Sequence, residues 1–317
     1  MERIWVIDGH CDSIGEYVSG KRNLCNPLEG GHWDIVRAKK GNVGLQFMAS
    51  YIESEHKPFR STLRGLELIQ GTLKFVRDNM DQLFIVKGKD DLARIPDNER
   101  IGLLLSVEGG EILGDGLFMV DIIHHLGVRA LGLTWNQRNY LADGVWESSS
   151  SSRLTRFGEQ VVKRLNDLGM IIDVSHLNEP GFWNVLEKSG YPILASHSCV
   201  KAICNHPRNL SDDQLKALAR NGGLVGINFY PGFLNESGHA TLQDVIQHIC
   251  YIADLVGIDV LGLGSDFDGI DKTPDMLDDV SNFQTLAEGL LAKGFSRVEI
   301  QKVFHGNFMR LLNDVLK

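Results

Sequence analysis

Eight short apolar stretches rich in β-branched residues recur along the chain, and amphipathic segments with helical periodicity lie between them. The stretches are continuously apolar rather than alternating, which is typical of parallel strands buried on both faces. They lie at about residues 4–8, 43–50, 101–107, 129–134, 170–175, 192–196, 223–229 and 259–265. The pattern predicts an α/β fold, and eight such units in 317 residues favour a TIM-type (β/α)8 barrel with loop elaborations. A doubly wound open sheet is the alternative, because periodicity does not show whether the sheet closes.

No repeat of fixed period and no linker divides the chain, so we predict a single domain over residues 1–317. The formal net charge is −9 and no basic run occurs, which argues against nucleic acid or an anionic membrane surface as a partner. No apolar stretch approaches the roughly 18 residues needed to span a bilayer. The five cysteines form no C-x-x-C pair. We therefore expect a cytoplasmic protein with no membrane attachment.

Polar side chains that can bind metal follow five of the eight predicted strands. They are His10 and Asp12 after the first strand, Glu108 after the third, His176 after the fifth, His197 after the sixth and Asp266 after the eighth. Each is weak evidence alone, because a lone histidine or a salt-bridged carboxylate is common in proteins of unrelated function. In a barrel, however, the carboxyl ends of all strands meet at one face. The set therefore predicts a metal site there, with ligands enough for two divalent ions roughly 3.5 Å apart and one bridging carboxylate.

Motifs spread over nearly the whole chain match a single known family. They include Asp8-Gly9-His10, Val107-Glu108-Gly109-Gly110, Asp173-Val174-Ser175-His176, Ser196-His197-Ser198 and Gly264-Ser265-Asp266-Phe267-Asp268-Gly269. The steps of 21 residues from His176 to His197 and of 11 residues from His197 to Arg208 also suit that family. On these motifs the chain resembles the membrane (renal-type) dipeptidase family of the amidohydrolase superfamily.

The resemblance implies a zinc-dependent dipeptidase, a metallo-hydrolase that cleaves the peptide bond of dipeptides with a hydroxide activated between two metal ions. Two Zn²⁺ per chain are expected, with other divalent ions as alternatives. Of the predicted ligands, His10 and Asp12 would bind one zinc ion. The pair His176 and His197 would bind the second, and Glu108 would bridge both.

The resemblance also implies roles beyond the metal ligands. Asp266 would be the catalytic acid and base beside the bridging water. Arg208, assisted by Tyr230, would hold the substrate's terminal carboxylate, so the expected substrates are small peptides with a free C-terminal carboxylate. A homodimer is expected from the resemblance as well. Whether L,D-dipeptides are accepted besides L,L-dipeptides is left open.

The match departs from the family after the fourth predicted strand. Vertebrate members carry a histidine in a Leu-Thr-His sequence, thought to contact the substrate carbonyl, whereas this chain has Trp135 in that place. The following residues Asn136, Gln137 and Arg138 are the available substitutes. We predict Asn136 as the substrate-binding residue of this segment.

Two alternative functions belong to different classes. Another binuclear amidohydrolase, such as an N-acyl-amino-acid hydrolase or a lactonase, would need a similar metal site, but the Arg208 segment and the Val-Glu-Gly-Gly motif favour a dipeptidase. A catalytically silent barrel that serves as a scaffold is the second alternative. The intact set of ligands together with Asp266 argues against it.

Overall fold

The computed structural model describes residues 3–95, 99–147 and 149–317. Its strands are β1 (Val6–Cys11), β2 (Val43–Tyr51), β3 (Leu83–Ile85), β4 (Ile101–Glu108), β5 (Val128–Gly132), β6 (Ile171–Asp173), β7 (Leu194–Ser198), β8 (Leu224–Ile227) and β9 (Leu261–Leu263). Its α-helices are α1 (Ile14–Val18), α2 (Ile35–Gly41), α3 (Ser61–Asp78), α4 (Lys89–Leu92), α5 (Phe118–Leu126), α6 (Arg156–Leu168), α7 (Glu179–Lys188), α8 (Asp212–Asn221), α9 (Pro231–Leu234), α10 (Leu242–Val256), α11 (Phe283–Lys293), α12 (Arg297–Gln301) and α13 (Asn307–Val315). Of these helices, none combines the length and the apolar character needed to cross a membrane.

Eight of the strands form a closed parallel barrel in the order β1-β2-β4-β5-β6-β7-β8-β9, with β9 returning to β1. The pairing of β2 with β4 closes the ring and runs from Leu45–Gly102 to Tyr51–Glu108. The short strand β3, which the sequence did not predict, pairs with the first residues of β4 on the edge that β5 uses further along. The predicted (β/α)8 barrel is confirmed, and the open doubly wound sheet is wrong.

Each predicted stretch overlaps a strand. The strands β5, β6, β8 and β9 end two residues earlier than predicted, whereas β1 and β7 extend further. The stretch 259–265 contains β9 over three residues only, because Ile258–Val260 forms a 3-10 turn before it. Beyond β6 and β9 the backbone leaves the extended conformation, and His176 and Asp266 adopt left-handed φ values of 66° and 65°. Non-glycine residues adopt this region rarely. These two side chains are therefore placed by turns after the strands rather than by the pleat of the strands.

The C-terminal helix α13 packs against the amino-terminal end of the barrel interior. Phe308 is fully buried there, and its ring centroid lies 5.4 Å from that of Phe47 in β2. A Cβ atom added to Gly9 or Gly262 would lie 2.6 Å from the Phe308 ring, so glycine is required at both positions for this close approach. The helix thus fills one end of the barrel and leaves the carboxyl ends of the strands free for a site.

We expect Phe308→Ala to lower the free energy of unfolding by about 3–5 kcal/mol, since it leaves a cavity that the surrounding strands cannot fill. Equilibrium denaturation in urea measures this loss. The matched control is Asn313→Ala, an exposed position on the same helix, which should change stability by less than about 0.5 kcal/mol. Equal losses in the two variants would contradict the role of Phe308.

Candidate metal centre

The barrel brings all the predicted metal ligands to the mouth formed by the carboxyl ends of its strands. Three of them lie within or at the end of strands, namely His10 in β1, Glu108 at the end of β4 and His197 in β7. Asp12 follows β1 directly, and His176 lies three residues beyond β6. Residues far apart in the chain therefore share one small volume because parallel strands all end at the same face.

The Glu108 carboxylate lies at the centre of this cluster. Its Oε1 atom is 2.7 Å from His176 Nε2 and 3.5 Å from His197 Nε2. Its Oε2 atom is 3.5 Å from His10 Nε2, which in turn is 3.3 Å from Asp12 Oδ2. The two oxygens of one carboxylate thus face two separate sets of side chains.

The cluster is rich in lone pairs and poor in hydrogen-bond donors. His176 Nε2 and His197 Nε2 are 2.7 Å apart, and both point at Glu108. His10 Nε2 and Asp12 Oδ1 are buried, and within the described residues neither has a hydrogen-bond partner. Buried polar atoms without partners are costly. Imidazole nitrogens and carboxylate oxygens are also the atoms that bind divalent transition metals. The donor set therefore fits a metal ion.

Three groups of side chains place possible ligand atoms within 4.8 Å of one another in the described part of the chain. They are Glu108, His176 and His197; His10, Asp12 and Asp266; and His10, Asp173 and His197. In the third group, both Asp173 oxygens already accept hydrogen bonds, from the backbone N–H groups of Ser175 and Ser196 and from the Ser196 hydroxyl. The first two groups share no residue, so they define two distinct positions for a cation.

The charges of the cluster shift the pKa values of its members in opposite directions. Burial lowers the pKa of His10, but the charges of Asp12 and Glu108 outweigh burial and hold it well above its ordinary value. Burial and then the Arg208 charge lower the pKa of His176 to about 3. Burial raises the pKa of Glu108, yet the charges of His10 and His176 bring it well below its ordinary value. The site around His10 therefore attracts positive charge, which a bound cation would supply in place of a proton.

Asp266 lies beside the ligands and is held by Asn228, a residue for which the sequence predicted no role. The fully buried Asn228 donates its Nδ2–H to Asp266 Oδ2 at 2.9 Å. Burial raises the pKa of the Asp266 carboxyl to about 7, with a further contribution from the negative charges of Asp12 and Glu108. The sequence offers one indication of this role. Asn228 directly follows the apolar residues of β8, just as the predicted ligands follow their strands.

A cavity of about 800 Å³ opens onto this cluster, and its lining includes Asp12, Glu108, His176 and Asp266. Tyr51, at the carboxyl end of β2, also lines this cavity, a position that the sequence did not predict. Burial and then the Glu108 charge raise the pKa of the Tyr51 phenol, so it is a neutral O–H group at neutral pH. The ring of Tyr51 lies 5.3 Å from that of Trp135, and the two rings form an aromatic wall.

The two predicted carboxylate-binding residues, Arg208 and Tyr230, both lie beside Phe233. Tyr230 lines the main cavity, and its ring centroid is 4.9 Å from that of Phe233. The Arg208 guanidinium carbon lies 5.5 Å from the same ring and lines an adjacent cavity of about 570 Å³. Arg208 donates to the His197 carbonyl at 3.0 Å, whereas its buried Nε–H finds no acceptor among the residues that the structure describes. This cation is therefore fixed by the backbone and retains a free donor.

After β5, the three residues that could replace the missing histidine have different partners. Gln137 accepts a hydrogen bond from Ser54, and Arg138 forms an ion pair with Asp143. Asn136 lines the main cavity, but its Oδ1 atom is 2.7 Å from His176 Nδ1. The side-chain carbonyl oxygen of Asn136 therefore contacts a predicted metal ligand. The role of Asn136 toward the substrate stays a prediction.

Comparison with known proteins gives a consistent result. A sequence model of the membrane dipeptidases, peptidase family M19, matches residues 1–317. Dipeptidase aclJ of Aspergillus oryzae is 34% identical over 302 residues, which cover 90% of this chain and 70% of that protein. The metallopeptidase of Rhodobacter sphaeroides, solved with a phosphinate mimic of the dipeptide L-Ala-D-Ala, superposes with a TM-score of 0.92 at 26% identity, covering 99% of this chain and 100% of that chain. A structure of dipeptidase AC, a metallopeptidase of family M19, gives a TM-score of 0.93 at 27% identity and 99% coverage of both chains.

We expect Glu108→Gln to lose most of its bound divalent metal, because the substitution removes the negative charge of the carboxylate whose two oxygens face both sets of ligands. Metal content after dialysis, measured by elemental mass spectrometry, tests this. The matched control is Glu55→Gln, whose carboxylate lines the same cavity but is 80% exposed, and it should keep the wild-type content. Equal metal content in both variants would exclude Glu108 as a ligand.

Proposed function

The chain belongs to the membrane dipeptidase family, peptidase family M19, and from this premise we propose that it is a dipeptidase with two Zn²⁺ ions at the mouth of its barrel. Family membership makes it a metal-dependent hydrolase that acts on the peptide bond of dipeptides. The identity of the metal, the number of ions and the roles of individual residues are our proposal. The observation that carries it is the Glu108 carboxylate, whose two oxygens face separate sets of ligands.

The five ligands divide between two positions. His10 and Asp12 would hold one ion, His176 and His197 the other, and Glu108 both. Tetrahedral coordination by nitrogen and oxygen donors is typical of zinc, and a catalytic zinc site keeps a position open for water or substrate. When bound, two such ions supply Lewis acidity toward the scissile carbonyl and lower the pKa of a water molecule toward about 7.

Asp266 is proposed as the group that moves the proton. The carboxylate would accept a proton from the attacking water and donate it to the leaving amine, a role that requires hydrogen-bond reach to both groups. Asn228 donates to Oδ2, which fixes the orientation of the carboxylate, and Oδ1 would take the proton. The left-handed backbone at Asp266 turns this side chain toward the cavity.

Arg208 and Tyr230 are proposed to bind the terminal carboxylate of the substrate. A guanidinium that is already held by the His197 carbonyl binds a carboxylate with little loss of side-chain entropy. Such a site favours dipeptides over longer peptides, because an internal residue offers no carboxylate there. The Rhodobacter sphaeroides peptidase was solved with a mimic of L-Ala-D-Ala, so we include dipeptides with a C-terminal D-residue among the proposed substrates.

Other predictions from the sequence stay predictions. They concern a single domain over residues 1–317, a homodimer, a cytoplasmic location, and the exclusion of membranes and nucleic acid as partners. The alternative activities on N-acyl amino acids and lactones also stay untested.

We expect Asp266→Asn to keep its zinc and to lose at least about 10²-fold in kcat on dipeptides, since the amide cannot accept the proton. Metal analysis and steady-state kinetics on the same preparation separate the two effects. Asp271→Asn, an exposed carboxylate that lines the same cavity, should keep both zinc and rate. A wild-type kcat in Asp266→Asn would remove this residue from the mechanism.

The substrate class is tested by a panel of L,L- and L,D-dipeptides, their C-terminal amides, N-acyl amino acids and lactones with the zinc-loaded protein. We expect hydrolysis of free dipeptides, and a loss of kcat/KM of about 10²-fold or more in Arg208→Ala, confined to substrates with the free carboxylate. Lys201→Ala is the control, because Lys201 lines the same cavity as Arg208. Preferred hydrolysis of lactones or N-acyl amino acids would refute the dipeptidase assignment, and equal losses on acids and amides would refute the role of Arg208.

A further inference from the structure

Two of the proposed ligand histidines make a second hydrogen bond on the side of the ring that faces away from Glu108. His176 Nδ1 lies 2.7 Å from Asn136 Oδ1, and His197 Nδ1 lies 2.7 Å from Ser196 Oγ. An amide oxygen can only accept a hydrogen bond. His176 Nδ1 therefore carries the proton, and the lone pair of Nε2 points at Glu108.

The partner of His197 is itself held in one orientation. The Ser196 hydroxyl donates to Asp173 Oδ2, so its oxygen is left to accept from His197 Nδ1–H. The other oxygen of Asp173 accepts the backbone N–H groups of Ser175 and Ser196, each at 3.0 Å. Asp173 thus fixes the hydroxyl, and the hydroxyl fixes the tautomer of His197.

The outer hydrogen bonds leave both rings with a lone pair directed at the same small space. With the protons on Nδ1, the Nε2 lone pairs of His176 and His197 face each other at 2.7 Å and also face Glu108 Oε1. The side chains are 9% and 1% exposed, so both rings are largely shielded from bulk water. In a largely buried site, outer hydrogen bonds decide which nitrogen is available to a metal.

We propose that Asn136 and the Ser196–Asp173 pair are positioning residues, which set the tautomer and orientation of His176 and His197 for metal binding. This inference rests on the proposed function, because it takes the two histidines as ligands. It gives Asn136 a role toward the metal ligand rather than toward the substrate carbonyl. On this proposal, Asn136 does not replace the carbonyl-binding histidine of the vertebrate family members.

The first test measures the Zn²⁺ affinity of wild type, Asn136→Leu and Asn136→Asp by competition with a chromophoric chelator, and kcat on a dipeptide at saturating zinc. Asn136→Leu removes the acceptor and should weaken zinc binding about 10–100-fold. Asn136→Asp keeps an oxygen acceptor but removes the amide donor, and it should keep zinc affinity within about threefold of wild type. Rescue by aspartate is the result that a merely structural asparagine would not give.

The opposite pattern would overturn the assignment of Asn136. If its amide Nδ2–H polarises the substrate carbonyl, both variants keep wild-type zinc affinity and both lose kcat. Circular dichroism shows whether Asn136→Leu folds. If it does not fold, Asn136→Asp alone decides, because the positioning role predicts wild-type kcat at saturating zinc and the carbonyl-binding role predicts a loss of kcat.

The second test addresses Ser196. Ser196→Ala should weaken zinc binding about 10–100-fold, and Asp173→Asn should weaken it in the same direction. Ser50→Ala is the matched control, since Ser50 is an equally buried strand serine whose hydroxyl finds no partner in the described ranges of the chain. Wild-type affinity in Ser196→Ala would overturn the inference for His197. Absence of zinc binding or of dipeptide hydrolysis in the wild type itself would instead overturn the proposed function, and the inference with it.

Discussion

The pairing of β2 with β4 is the constraint on which the metal centre depends. Without it the strands would form an open sheet in which β1 and β4 are six positions apart, or about 29 Å at the usual spacing of about 4.8 Å. With it, His10 on β1 and Glu108 on β4 come within 3.5 Å. The last register pair of this contact is Tyr51–Glu108, so the closing ladder extends to the residue at the centre of the cluster. Ring closure and assembly of the site are therefore the same structural event.

The cluster that closure creates is unfavourable without a cation. Burial disfavours every charged group in the cluster. The charges of Asp12 and Glu108 nevertheless raise the pKa of His10. Burial lowers the pKa values of His176 and His197, so these two imidazoles are neutral and direct lone pairs at Glu108. Replacing a proton by divalent ions satisfies several lone pairs at once, which explains why so many acceptors converge where few donors exist. The packing of α13 at the opposite end supports this arrangement, because a filled barrel interior keeps the strand ends rigid.

Backbone conformation gives the centre its finer geometry. His176 and Asp266 both adopt left-handed φ values just beyond their strands, a conformation that non-glycine residues enter at a cost of about 1–3 kcal/mol. The turn at His176 leaves one ring nitrogen facing Glu108 and the other facing Asn136. The turn at Asp266 leaves one carboxylate oxygen with Asn228. Local strain at these positions is balanced by contacts that only the folded barrel supplies.

The sequence by itself determined the strand count of the barrel, the parallel character of its strands, and the rule that polar residues after those strands share one face. These follow from local patterns of apolar residues, and such patterns survive in the chain without any long-range contact. The tertiary structure alone decided that β2 closes on β4, that a short β3 joins its edge, and that Asn136 contacts His176. It also decided that Asn228 holds Asp266 and that Tyr51 lines the cavity. Each of these contacts joins residues at least 18 positions apart or depends on a side chain whose direction is set by a neighbouring strand. The physical reason is that hydrogen bonds between distant residues exist only after the ring has closed, whereas periodicity is written along the chain itself.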